Sequence, residues 1–381
     1  MKPRILFCMT VYNGREFVPA AIQSAMRLDQ SDAAVDLLLL DDCSPEPGWS
    51  EEVEKLCASA GAHYYRSPRN LGIPRNVSLG MRTAVEEGYD YVVVANSDVL
   101  FPRSLISDML ASADHPGVGS VTAWSNNVSV YSIPNIAADQ HLNDQDVVDW
   151  IAASLHGQFG DAVVDIPAGI SFCILIPIPV VEDVGVMDPV FGRGYCEETD
   201  WTLRSLARGY RIGLCPGTFV YHSGSGSTHS TGILTPGTTT VAKNEAIIDL
   251  RYPQFRSQVR AFIGSGILQK AHVDGITKVL ADAGRQFGYT VDVGWLSRPD
   301  RAQTTVSCRL APDGASSLTM NFLGFERSMA IEGLEVGTYL LELFGKEPDR
   351  VNLMDHRPGD LAAMFGADVE VTRYCAYPTR V

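Results

Sequence analysis

The sequence contains no Cys-x-x-Cys pair, although eight cysteines are spread along its 381 residues. This spacing excludes zinc-ribbon and thioredoxin-like sites, because both need closely paired thiols. Several of the cysteines lie in apolar runs, where a free thiol behaves as a small hydrophobic side chain. We therefore expect reduced cysteines and a cytoplasmic location.

Long apolar runs are also missing. A helix needs about 20 apolar residues to cross a bilayer, and the longest apolar stretch, residues 168–181, is interrupted by Pro177 and Pro179. The first apolar run gives way to polar residues at position 12, so it is too short for a signal peptide. We expect no transmembrane segment.

Positive charge is scarce, since 30 Lys and Arg residues stand against 45 Asp and Glu residues and the formal net charge is −15. No basic run provides the stripe that binding to nucleic acid requires. An acidic surface also disfavours docking on anionic lipid. We expect no nucleic-acid partner.

The first half of the chain alternates apolar runs with helical segments. Strands are expected at residues 5–11, 35–40, 63–66 and 91–95, and helices at residues 16–27, 50–60 and 76–87. Continuous apolar strands separated by helices of this length indicate a sheet that is covered on both faces. The predicted fold class is α/β, with a mixed, mostly parallel sheet flanked by helices.

The second half is organised differently. Residues 223–244 are rich in Gly, Ser and Thr, which indicates a flexible loop, a lid or a linker. A helical pattern then runs from residue 244 to about 287, and strand patterns with a turn at Pro312-Asp313-Gly314 follow it. We therefore expect a first domain of residues 1–243 and a C-terminal module of residues 244–381, helical and then α+β.

Asn96, Ser97 and Asp98 close the apolar run at residues 91–95. Ligands of open α/β sheets bind at the carboxyl ends of the strands. Asp98 is therefore a candidate ligand for Mg²⁺ or Mn²⁺, and the alternative is that it caps a strand-end turn. His222 follows another apolar strand and is either a third metal ligand or a histidine of the core.

A second acidic cluster lies about a hundred residues further along. Glu197, Glu198 and Asp200 open a helical pattern beside Trp201. Crowding of these acids is expected to raise one pKa towards that of a useful base. The alternative is that all three complement the positive end of the helix dipole.

Polar residues at strand ends and in loops are candidates for binding a nucleotide. Asp41 and Asp42 end the second strand, where one of them accepts a hydrogen bond from a base or both are acids of a turn or of a helix N-terminus. Arg75, near a helix start, either contacts a diphosphate or is a surface arginine. The remaining candidates are Thr10, Tyr12, Asn13, Asn70, Gly72, Asn96 and Ser97.

Taken in order, these segments resemble the inverting family-2 glycosyltransferases of the GT-A fold. The resemblance covers residues about 1–230 and rests on the segments 10–13, 40–44, 70–72, 95–98, 169–172, 187–200 and 209–222. It implies a nucleotide-diphosphate sugar donor, a hydroxyl-bearing acceptor and a divalent metal, Mn²⁺ or Mg²⁺. It also implies transfer of the sugar, a hexosyl or deoxyhexosyl group, in a single displacement.

The resemblance assigns roles on the donor side. It implies that Asp42 or Asp41 reads the base and that Asp98 binds the metal that bridges the diphosphate. It further implies that His222 completes the metal site.

On the acceptor side, the resemblance implies that Glu198 is the catalytic base and that Glu197 and Asp200 orient the acceptor or its hydroxyl. The sequence departs from the family pattern twice. Residues 96 and 97 are not acidic, and the base is a glutamate, one methylene longer than the usual aspartate.

Two other functions remain open. A sugar nucleotidyltransferase would release pyrophosphate, but the chain lacks a Gly-rich loop with Arg or Lys after its first strand. A catalytically impaired protein that binds nucleotide sugars or glycans is the second. The resemblance does not extend to residues 245–381, for which a homodimer interface and an acceptor platform are both open.

Overall fold

The computed structural model describes residues 2–135, 140–224, 241–293, 305–310, 317–331, 335–353, 365 and 369–373. Most of the predicted Gly/Ser/Thr-rich loop, residues 225–240, and the predicted turn at Pro312-Asp313-Gly314 lie outside these residues. The chain divides into two compact units. The first contains Met1–Ser132 and Ile136–Ala271, and the second contains Ile133–Asn135 and His272–Val381.

Nine strands among the described residues build the sheet of the first unit. They are β1 (Arg4–Val11), β2 (Ala34–Asp41), β3 (His63–Arg66), β4 (Tyr91–Ala95), β5 (Val99–Leu100), β6 (Val118–Ser125), β7 (Val164–Asp165), β8 (Cys173–Pro177) and β9 (Arg211–His222). The strand order is β3-β2-β1-β4-β8-β6-β9-β5, and β7 pairs with β9.

The strands β1 to β4 pair in parallel, as do β6 and β9. The strand β8 is antiparallel to both of its neighbours, β4 and β6. Since β8 reverses the direction twice, β6 and β9 run the same way as β1 to β4. The predicted fold class, a mixed and mostly parallel sheet flanked by helices, is confirmed.

The helices of the first unit lie between these strands or follow β9. They are α1 (Val18–Met26), α2 (Trp49–Ala60), α3 (Ile73–Glu86), α4 (Leu105–Ala113), α5 (Gln145–Phe159), α6 (Ile178–Val184), α7 (Glu197–Ala207), α8 (Val241–Arg251) and α9 (Phe255–Gly264). The helix α10 (Ile267–Phe287) follows. None of the described helices has the length and apolar character needed to cross a membrane.

The sequence of α3 explains why this helix packs on the sheet. Val77, Met81 and Ala84 recur at helical spacing, are buried, and belong to the core that also contains residues of β1 and β2. Between them, Gly80 allows close approach, because a Cβ there would meet the Cys8 side chain. This packing fixes the start of α3, and with it the preceding loop, against the carboxyl edge of the sheet.

The first unit continues through Ala271, past the boundary at residues 243/244 that the sequence suggests. Two hydrogen-bonded contacts explain the extension of the unit. Asn244 donates to carbonyl groups in the segment before α7, and Arg251 contacts the Asp200 carboxylate. The Gly/Ser/Thr-rich segment of residues 223–244 therefore does not mark the end of the first unit.

The second unit contains its own sheet. Its strands are β10 (Tyr289–Val293), β11 (Val306–Leu310), β12 (Leu318–Phe322), β13 (Phe325–Met329), β14 (Arg350–Leu353) and β15 (Val371–Arg373), in the order β13-β12-β11-β10-β14-β15. The helix α11 (Val336–Phe344) contributes Phe344, which packs on Tyr289. The strands β10, β11, β14 and β15 are parallel, whereas β12 and β13 form an antiparallel pair, in keeping with an α+β module.

Candidate active site

A cavity of about 750 Å³ lies at the carboxyl edge of the first sheet. It is lined by acids from two distant parts of the sequence. Asp98 follows β4, whereas Glu197 and Glu198 begin α7. Asn96 and His222 line the same cavity. The fold therefore brings together the two acidic clusters that are about a hundred residues apart in sequence.

The pairing of β5 with β9 places Asp98 beside His222. Val99 lies opposite His222 in this antiparallel pair, and Asp98 Oδ1 is 3.2 Å from His222 Nε2. The other ring nitrogen, Nδ1, is 3.0 Å from the carbonyl oxygen of Asn127. Because a carbonyl oxygen only accepts, Nδ1 carries a proton and Nε2 is directed at the carboxylate.

The environment of His222 acts on its pKa in opposite directions. Burial lowers the pKa, whereas the hydrogen bond and the charge of Asp98 and the Asn127 carbonyl raise it, and the net direction is upward. The ring also stacks on Phe172, with 5.7 Å between the ring centroids. Together these contacts fix the orientation of the imidazole.

These two side chains fit a divalent cation. A carboxylate oxygen and an imidazole nitrogen are both donors that Mn²⁺ accepts, and the Asn127 carbonyl provides the outer contact that orients a metal-binding histidine. The described part of the chain contains no group of three or more His, Cys, Asp or Glu side chains that would hold a metal. A cation here would therefore take its other ligands from substrate or water.

The acid pair Glu197 and Glu198 lines the cavity, and each side chain has one carboxyl oxygen without a partner among the described residues. In each side chain Oε2 is buried and accepts no hydrogen bond within the described residues. Burial raises the pKa of both carboxyls, and the neighbouring charge of Glu198 raises the pKa of Glu197 further. A buried acceptor without a partner is costly. Such oxygens are suited to accept a proton or a hydrogen bond from a ligand.

Asp200 is one turn away from this pair but is enclosed, with 0% exposure. Its Oδ2 accepts from Arg204 at 2.9 Å, and its Oδ1 accepts from Arg251 at 2.7 Å and from the Tyr252 hydroxyl at 2.9 Å. Asp200 does not line the cavity. The structure thus uses this acid to join α7 to the end of α8, and does not bring it to the acceptor position that the sequence suggests.

Asp41 is also enclosed. Its Oδ1 accepts from the amide and hydroxyl of Ser44, and its Oδ2 accepts from the hydroxyls of Ser50 and Tyr64. With 0% exposure, the carboxylate has no open side for a base. These bonds tie the end of β2 to α2 and β3, a structural role.

Asp42 fixes the loop that leads into α3. Its two oxygens accept hydrogen bonds from the backbone amides of Leu71 and Gly72, at 2.6 and 2.9 Å. Burial raises the pKa of Asp42, and the two amide hydrogen bonds oppose that shift. Gly72 in turn packs against Gly192, so that this loop touches the segment that precedes the acid pair.

Gly72→Ala is expected to destabilise the protein. Gly72 has φ +79° and ψ 156°, a conformation almost restricted to glycine, and a Cβ would collide with the Gly192 carbonyl oxygen. We expect a loss of about 1–3 kcal/mol from backbone strain alone, measured by urea unfolding. Gly61→Ala is the matched control, because Gly61 also has a positive φ but no atom within 4 Å of the added Cβ. Equal losses in the two variants would show that the contact with Gly192 is not tight.

The other predicted nucleotide-binding residues surround the carboxyl ends of β1 and β2. Of the ten residues predicted to bind the nucleotide, Asn96 alone lines the described cavity. Thr10 donates to the Ala95 carbonyl, and Asn13 has a left-handed backbone with a buried Oδ1 that lacks a partner in the described residues. Tyr12 is half-buried, Ser97 is buried, and Asn70 and Arg75 are exposed.

Several residues at this site were not predicted from the sequence. Asn127 and Phe172 orient His222, and Asn244 and Arg251 support the acid-bearing segment. Phe172 lies in a segment that carried the family resemblance. Asn127 and the two α8 residues give no such signal, because their partners are distant in the sequence.

The family model described as glycosyl transferase family 2 matches residues 6–148. This range includes Asp42 and Asp98 and ends before α7. No curated protein matches the sequence.

Three solved structures are similar to this chain. A mannosyltransferase, PcManGT from Pyrobaculum calidifontis, in complex with GDP-Man and Mn²⁺, is 15% identical, with a TM-score of 0.48 over 75% of this chain and 76% of that chain. S. aureus TarS, residues 1–349, is 13% identical, with a TM-score of 0.43 over 74% and 80% of the two chains. GalNAc-T7 with UDP, GalNAc and Mn²⁺ is 13% identical, with a TM-score of 0.46 over 58% and 44%.

The match over residues 6–148 confirms, for this part of the chain, the resemblance to glycosyl transferase family 2 that the sequence predicted.

Proposed function

We propose that the protein is a metal-dependent, inverting glycosyltransferase that moves a hexosyl or deoxyhexosyl group from a nucleotide-diphosphate sugar to an acceptor hydroxyl. One observation carries the proposal: a single cavity is lined by the Asp98–His222 pair and by two glutamates whose Oε2 atoms lack partners in the described residues. The first pair suits a cation beside a diphosphate, and the second suits the acceptor.

On the donor side, Asp98 and His222 would hold the cation. A bound Mn²⁺ or Mg²⁺ supplies positive charge to the diphosphate oxygens and so favours departure of the leaving group. Tyr12, Asn13 and Asp42 lie near the ends of β1 and β2, where we place the base and ribose. The buried Oδ1 of Asn13 supports this placement, because a ring N–H of a base would satisfy it.

On the acceptor side, Glu198 would act as the general base. Glu198 is half-buried and Glu197 is buried, so Glu198 is better placed to meet an incoming hydroxyl. Burial raises the pKa of both carboxyls, and the charge of Glu198 raises the pKa of Glu197 further, so Glu198 is the one of the two that ionises more readily. Two neighbouring carboxyls with separated pKa values divide the acid and base roles in this way.

The reaction is a single displacement. The acceptor oxygen attacks the anomeric carbon, and its proton passes to Glu198 Oε2. The bond from the anomeric carbon to the diphosphate oxygen breaks with its electron pair on the oxygen. Attack opposite the leaving group inverts the anomeric configuration.

Product analysis with a panel of nucleotide-diphosphate sugars tests the proposal. A glycosyltransferase releases nucleoside diphosphate, whereas a nucleotidyltransferase releases pyrophosphate and a binding protein releases neither. We also expect one nucleoside diphosphate to raise the Tm only when Mn²⁺ is present, since ligand at 100 times its Kd stabilises a protein by about 2.7 kcal/mol. Release of pyrophosphate, or of no product from any donor tested with a wide acceptor panel, would refute the proposal.

We further propose a cytoplasmic location and a homodimer. The seven cysteines in the described residues are all free, which supports a reducing compartment.

A further inference from the structure

Asn244, in α8, is bonded to the segment that leads into the acid pair. Its Nδ2 lies 2.9 Å from the Phe191 carbonyl oxygen, 2.8 Å from that of Gly194 and 2.9 Å from that of Tyr195. The residue is 2% exposed. One amide group thus donates to three backbone carbonyls, so at least one of its two hydrogens is shared.

The arrangement also fixes the orientation of the amide. The opposite orientation would direct Oδ1 at three carbonyl oxygens, all of which only accept. An asparagine within a helix has no local advantage, because its helix propensity is low. The stabilisation that Asn244 provides comes from its hydrogen bonds to the segment before the acid pair.

That segment has an unfavourable backbone conformation. Tyr195 and Cys196 have φ of 71° and 73°, in the left-handed region that side chains other than glycine rarely adopt. Such residues are strained and persist only where the surroundings impose them. The amide of Asn244 donates to the carbonyls of Gly194 and Tyr195, which lie in the peptide groups before and after the Cα of Tyr195. Cys196, Glu197 and Glu198 follow.

A second contact from the same helix holds the far side of this segment. Arg251 Nη1 lies 2.8 Å from Asp188 Oδ2 and 2.7 Å from Asp200 Oδ1. The helix α8 therefore contacts the chain both before and after the acid pair. Asn244 lies in the first turns of α8 and Arg251 at its end, so the two contacts are made by different ends of the helix.

We propose that Asn244 is a positioning residue for transfer: it imposes the left-handed turn at Tyr195 and Cys196 and thereby directs Glu197 and Glu198 into the cavity. The inference rests on the proposed function, in which Glu198 is the base. It assigns a role to a residue that lies beyond the matched family range of residues 6–148.

The test uses two substitutions in the full chain. Asn244→Asp keeps the shape but places carboxylate oxygen against three carbonyl oxygens, and Asn244→Ala removes the donor without adding charge. We expect kcat for release of nucleoside diphosphate to fall about 10²-fold, as for misplacement of a catalytic group by about 1 Å. The Kd for nucleoside diphosphate with Mn²⁺ should not change. Lys243→Gln, an exposed neighbour on α8, is the control and should behave as wild type.

Hydrogen–deuterium exchange gives a readout that does not depend on activity. In both variants, amides in residues 191–200 should exchange at least about ten times faster, while those in β1 keep their protection. Unchanged exchange in residues 191–200 of Asn244→Ala, or a wild-type kcat, would overturn the inference. So would failure of both variants to fold, because Asn244 would then support the whole unit and not this turn.

The outcomes separate the inference from the proposed function. If Glu198→Gln is inactive and Asn244→Ala is fully active, the inference alone is wrong. If Glu198→Gln transfers sugar normally, the base assignment is wrong whatever Asn244 does.

Discussion

Glu198→Gln is expected to lower the rate of sugar transfer by about 10²–10⁴-fold, the range for loss of general-base assistance. The amide has the shape of the carboxyl but cannot accept the proton of the acceptor hydroxyl. Binding of nucleoside diphosphate should persist, because the donor-side residues Asp98 and His222 are untouched. Steady-state kinetics and calorimetric titration on the same preparation measure the two quantities.

The pH dependence provides a second readout of the same variant. The base must be ionised to act, and burial raises the pKa of Glu198. Wild-type kcat should therefore rise with pH through an apparent pKa above the ordinary glutamate value of about 4.3. The residual activity of Glu198→Gln should lack this limb. Glu86→Gln, the same change at an exposed position of α3, is the control; a Glu198→Gln variant with normal turnover would contradict the assignment.

Asp98→Asn should abolish the effect of Mn²⁺ on nucleotide binding. The substitution removes the charged oxygen next to His222 Nε2 and keeps the shape of the side chain. Removal of an outer contact lowers the affinity of a metal site by about 10–100-fold. We expect Asp98→Asn to lower the metal-dependent affinity for the nucleotide by more than that. Calorimetric titration of nucleoside diphosphate, with and without Mn²⁺, measures the effect.

Two further variants help to interpret that result. Asp32→Asn, at an exposed position, should leave both titrations as in wild type. His222→Gln should weaken the metal-dependent component in the same direction as Asp98→Asn. If the Asp98→Asn protein keeps its full response to Mn²⁺, the proposed cation site is wrong, even if transfer is lost.

The local sequence predicted the elements around the donor side well. The apolar runs at residues 5–11, 35–40 and 91–95 correspond to β1, β2 and β4, and parallel strands place their carboxyl ends at one edge. The position of Asp98 followed from this rule. Its proximity to His222 did not, because it depends on the antiparallel pairing of β5 with β9.

The acids show most clearly that the type of a side chain does not determine its environment in the folded protein. Asp41 and Asp42 are neighbours in sequence, yet one is enclosed by hydroxyls and the other binds two loop amides. Glu198 and Asp200 begin the same helix, but only Glu198 lines the cavity. Which face of a turn or helix meets a cavity depends on the packing of distant segments.

The sequence by itself determined the α/β fold class, the resemblance to glycosyl transferase family 2 and the two acidic clusters, because these depend on local periodicity and on short motifs. The tertiary structure alone decided which acids meet, which are sealed into hydrogen bonds and which distant residues support them. Asn244 illustrates the reason: its three carbonyl partners are about fifty residues away, and their directions are set by a left-handed turn that only the folded chain imposes.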